Sequence, residues 1–135
     1  MAETLNVAKF FSKKNEEEGI WYEPKVMGVG TGFEVKVYGP NSTPAAIASD
    51  KYQKSKDEIA KIEDLKARNE AIDKSLAEYA ASLICDIRAL GGKQLVDDDG
   101  NEVTIKDMKN ILYNAPIIAS DIARFETNQN NFLSH

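Results

Sequence analysis

Few residues of this chain have the chemistry for catalysis or ligand binding, and their spacing argues against both. The one histidine, His135, is the last residue of the sequence, so an imidazole triad or a histidine metal site has no internal candidate. The one cysteine, Cys85, has no partner for an internal disulfide and no basic neighbourhood, and reads as a small buried hydrophobe. Carboxylates are plentiful, but Asp50, Asp57 and Asp64 recur every seven residues with Lys54, Lys61 and Arg68 each four further on. That acid-first order marks the solvated face of a helix, extended by Glu70 and Lys74, and not the opposed, desolvated pair that glycoside hydrolysis requires. Asp97-Asp98-Asp99-Gly100-Asn101 suggests a calcium loop until its sixth and twelfth positions prove to be Glu102 and Met108 in place of glycine and glutamate. It reads as an acidic turn. Gly28-Val29-Gly30-Thr31-Gly32 leads into a strand pattern, lacks the Lys-Ser or Lys-Thr of a phosphate loop, and reads as a hairpin turn. No catalytic, cofactor-binding or metal-ligating residue is expected, and the chain reads as a non-enzyme.

The composition sets the scale on which these residues must be positioned. A chain of 135 residues, 42% of them hydrophobic, suffices for one domain and one core. No apolar run approaches the ~20 residues of a membrane span, and no N-terminal segment resembles a secretory signal, so a soluble, intracellular-type protein is expected. The net charge of −5 arises without any basic cluster, which argues against nucleic acid as a partner.

The expected fold class is α+β, mainly helical, with an N-terminal antiparallel β-hairpin. Residues 1–18 form an N-terminal segment whose Leu5, Val7, Phe10 and Phe11 either dock on the core or meet a partner. Residues 19–135 form a single α+β domain. In it, Ile20 to Val26 and Phe33 to Tyr38 are the strands of a hairpin over 20–38, the second alternating apolar and polar residues. Thr43 as N-cap and Pro44 as first helical residue open a long helical region, 44–90, which Gly91-Gly92 closes. Its apolar stripe runs from Tyr52 through Ile59, Leu65, Ile72, Leu76 and Leu83 to Leu90. As one rod it would be about 70 Å long, so it either bends near Asn69 or projects toward a partner. Over 104–133, Thr104 with Asp107 caps a short helix, and Pro116 opens a last helix carrying Ile118, Ile122 and Phe125. The closing Phe132-Leu133 pair is either a staple to the core or a docking tail.

These residues bring a family into view. Phe33-Glu-Val-Lys-Val-Tyr-Gly-Pro-Asn-Ser42 before a charged helix resembles the front of the tail assembly chaperones of long-tailed bacteriophages. The rear half is similar too: Leu83-Ile-Cys-Asp-Ile-Arg-Ala-Leu90, the acidic turn with Gly100, the Thr104-capped helix, the Ala115-Pro116 break, and Ile122 through Phe125 to Asn131-Phe132-Leu133. Many relatives carry a tryptophan where this chain has Arg88-Ala89-Leu90. The resemblance implies a protein of the host cytoplasm that binds the tape-measure protein, keeps its long helices from aggregating, and helps recruit the tail-tube protein. Phe125, Phe132 and Leu133 are then the candidate partner-binding residues. The alternative is a structural phage component or self-assembling helical protein, with the long apolar stripe as the seam of a homo-oligomer.

Overall fold

The computed structural model describes residues 3–134. It has the α+β architecture expected, with a small antiparallel sheet laid against a helical body. A single 3-10 turn, Val7–Phe10, and a short helix, α1 (Lys13–Glu18), precede the strands β1 (Ile20–Tyr22), β2 (Lys25–Val26), β3 (Val29–Gly30) and β4 (Phe33–Val37). Helices α2 (Thr43–Ile59) and α3 (Leu65–Ser82) follow, then strand β5 (Ile84–Ala89), a 3-10 turn at Ile105–Asp107, helices α4 (Met108–Asn114) and α5 (Pro116–Thr127), and a final 3-10 turn, Gln129–Phe132.

The long helical region is neither one rod nor bent at Asn69. It breaks between Ile59 and Leu65, because the Asp64 side chain turns back to accept the Ala67 amide at 2.9 Å and caps α3. The acid-first spacing predicts this aspartate in an ion pair with Arg68 instead. Of the expected ladder, only Asp50–Lys54 closes among the described residues, at 3.0 Å on an exposed face. The α2 N-cap is Ser42, not Thr43: its buried hydroxyl donates to the Gly39 carbonyl at 2.7 Å and accepts the Ala45 amide at 3.3 Å.

The largest departure lies at 83–90, expected as helix and found as β5. This strand completes a three-stranded sheet in the order β1-β4-β5, with both pairings antiparallel. Lys36 pairs with Asp86 but Val37 with Ile84, so Cys85 is an extra residue in a β-bulge. From Cys85 on the strand alternates, with Cys85, Ile87 and Ala89 partly buried and Asp86 and Arg88 exposed, while buried Ile84 before the bulge falls out of that period. Cys85 is consequently half-buried in a sheet and not a core helix residue; its Sγ lies 3.5 Å from the Lys36 carbonyl. Gly91-Gly92 ends a strand, both at positive φ.

The hairpin is also subdivided. β1 and β4 pair as expected, Ile20 with Val37 through Tyr22 with Val35. The turn, however, is the two-residue Met27-Gly28, both at positive φ, between β2 and β3. Val35 and Val37 face inward with no exposure and meet Ala77, Ala80, Leu83, Leu112, Ala119 and Ile122. Helix α3 is central to the body, packing on α2, α4 and α5. Outside the sheet, the Arg88 guanidinium stacks 3.8 Å from the Trp21 ring centre and pairs with Glu34 at 2.7 Å.

Helix α1 is fixed to the loop before α2. The buried Glu16 carboxylate accepts Ser12 Oγ at 2.8 Å and both Asn41 amides at 3.0 Å, and the Gly39 amide donates to the Glu16 carbonyl at 2.9 Å. A methyl group on Gly39 would overlap the Glu16 side chain and stand 2.9 Å from its Cα. Gly39→Ala is therefore expected to destabilise the fold by about 1–3 kcal/mol, read as a lowered urea midpoint.

Candidate interaction surface

Of the three residues expected at a partner surface, Phe125 and Phe132 lie along one aromatic stack and Leu133 follows it in sequence. Phe125, on α5, stacks on Tyr22 of β1 with ring centres 4.1 Å apart and planes at 14°, and meets Phe132 at 5.6 Å. Phe132 has no exposure, Phe125 and Leu133 are half-buried, and the Asn15 side-chain amide donates to the Phe132 carbonyl at 3.0 Å. Phe132 is thus the staple and not a docking residue: burial removes it from any surface of the folded chain. The Ser134 amide donates to the Phe11 carbonyl at 2.8 Å, holding the C-terminal end beside the N-terminal segment.

Apolar surface remains on that N-terminal segment. Leu5, Val7, Phe10 and Phe11 are all exposed, Phe10 at 57% and Phe11 at 61%. Asn6 caps the 3-10 turn through the Ala8 amide at 3.0 Å, and the turn presents its aromatics to solvent with Lys9 over the Phe10 ring. Of the two alternatives left by the sequence, docking on the core is not what these side chains do. A second apolar site, invisible in the sequence, joins Met27, 94% exposed at the hairpin tip, with Ile117 on the first turn of α5, and Val29 next to the tip is exposed as well. The tip is held to α5 by Asp121, buried, whose carboxylate accepts the Tyr22 hydroxyl at 2.5 Å, the Lys25 amide at 2.8 Å and the Arg124 guanidinium.

The electrostatics of this anchor follow from its bonds. Burial pushes the Asp121 carboxyl up, but the donors from Tyr22, Lys25 and Arg124 outweigh it and hold it below the usual carboxylate range. Burial and the adjacent carboxylate push the Tyr22 hydroxyl up to about 12, so it stays a donor at neutral pH. A native pKa below the unfolded value contributes stability above ordinary carboxylate pH, lost as pH falls through the lowered native value. Asp121→Asn is expected to cost about 2–3 kcal/mol at neutral pH, the gap to the unsubstituted chain narrowing below about pH 4, as measured by urea unfolding across pH.

In the acidic turn the Asp97 carboxylate accepts the Asp99 and Asn101 amides, both at 2.9 Å. No group of three potential metal ligands occurs among the described residues. No helix among them is long and apolar enough to cross a membrane. The chain matches no protein-family model, no curated protein and no solved structure.

Proposed function

We propose that this chain is a non-catalytic tail assembly chaperone of a long-tailed bacteriophage, acting in the host cytoplasm by binding the tape-measure protein and assisting recruitment of the tail-tube protein. The observation that carries the reading is the exposed apolar run Leu5, Val7, Phe10 and Phe11; the sequence resemblance supports it, although the resembling stretch at 83–90 holds strand β5 and not a helix end. Aromatics held in water on a short turn cost free energy that a partner's apolar helix face would recover, the groove chemistry by which one protein shields another's helices. The test is coexpression of the tape-measure protein from the same genome with this chain carrying an affinity tag. Retention of the tape-measure protein together with a larger soluble fraction is expected; its aggregation without retention would end the proposal.

A second reading, self-assembly as a structural component, is favoured by Leu65 and Ile72, exposed seven residues apart on α3. It requires a sedimentation coefficient that rises with concentration and the chain's presence in purified particles, whereas an assembly factor is absent from them.

A further inference from the structure

Glu126, at the end of α5, is 3% exposed and has no cationic partner among the described residues. Its Oε2 accepts the Tyr79 hydroxyl at 3.1 Å, while its Oε1 accepts no hydrogen bond from the described residues. No unpaired side-chain oxygen is sealed from solvent among the described residues, so Oε1 keeps an open side. That residue lines a cleft of about 550 Å³ between α2 and α5, with Ala46, Ser49, Asp50, Gln53 and Tyr79 around it. The other buried carboxylate nearby, Glu16, is saturated by Ser12 and Asn41, whereas Glu126 is not. Burial, with Glu16's charge, pushes the Glu126 carboxyl up against the lowering bond from Tyr79. Asp50 at the rim is occupied by Lys54, an exposed pair that leaves the floor of the cleft acidic.

From the open carboxylate oxygen, the aromatic wall and the polar rim, we infer that this cleft receives an arginine side chain of a partner protein, its guanidinium meeting Glu126 and lying along Tyr79. Arginine suits the site because its planar fork donates to a carboxylate while its face rests on an aromatic ring. The inference does not depend on what the partner is, and it stands apart from the apolar N-terminal run.

The test is an NMR titration of the full chain with acetyl-arginine-amide, and with the citrulline counterpart, which has the same shape and no charge. Arginine is expected to move the Glu126 carboxyl, Tyr79 and Gln53 signals and to lower the Glu126 pKa; citrulline is expected to move none. Glu126→Gln should abolish the shifts, and Ser49→Tyr, which crowds the mouth from an exposed helix position, should do the same if Glu126→Gln fails to fold. Equal responses to both probes, or arginine shifts confined to Asp97–Asn101, would overturn the inference. So would the same shifts appearing on concentrating the chain alone, since they would seat a second copy's arginine in place of a partner's.

Discussion

Phe132→Ala is expected to lower the unfolding free energy by about 3–5 kcal/mol, the range for removing a fully buried aromatic from a packed core. For a domain whose total stability is of order 5–15 kcal/mol this is a large fraction, and the urea midpoint should fall by on the order of 2 M with the slope unchanged. Phe132 has no exposure, closes the stack from Tyr22 through Phe125, and its carbonyl receives Asn15. Its loss therefore releases both the C-terminal turn and α1. A binding defect in this variant would follow from unfolding. Leu133→Ala, at a half-buried neighbour, is the substitution that asks whether this end of the chain contributes surface.

The second large effect concerns partner affinity. Phe10→Glu combined with Phe11→Glu is expected to leave stability within about 0.5 kcal/mol, because both rings are already in water. Interface aromatics that act as hot spots contribute about 2 kcal/mol or more each, and 1.4 kcal/mol is about tenfold, so affinity for the tape-measure protein should fall by about 100-fold or more. Isothermal titration beside a urea melt of the same variant checks both halves. Retained affinity would move the contact to Met27, Val29 and Ile117 at the hairpin tip.

The sequence makes local signals legible and leaves long-range ones hidden. The Thr104–Asp107 capping box, Pro116 opening α5, and the Phe33–Val37 strand are all present where residue chemistry places them. The break before α3 is hidden because aspartate serves equally as a surface pair and as an N-cap, and Asp64 does the second. β5 is hidden because its partner β4 lies nearly fifty residues earlier and its short alternating run, Cys85 to Ala89, continues directly from a helical pattern. The apolar residues at 83, 87 and 90 also fit a helix, and the pairing with β4 decides for the strand. The candidate surface is hidden for a related reason: Phe10 and Phe132 are the same residue type at opposite ends of the chain, and only tertiary packing makes one exposed and the other core. The apolar site at the hairpin tip depends on a Met27-Gly28 turn folding beside Ile117, two elements remote in sequence.

Amide hydrogen exchange on the copurified complex with the tape-measure protein tests most directly whether this chain binds it through its exposed N-terminal run. In the free chain the amides of residues 5–11 donate only within a single 3-10 turn and its Asn6 cap, among them Ala8 and Lys9 to Asn6 and Phe11 to Ala8, and should exchange quickly. The account predicts that these amides slow by at least tenfold in the complex while those of α3 stay unchanged. Unaltered exchange at residues 5–11, with protection appearing elsewhere, would contradict it.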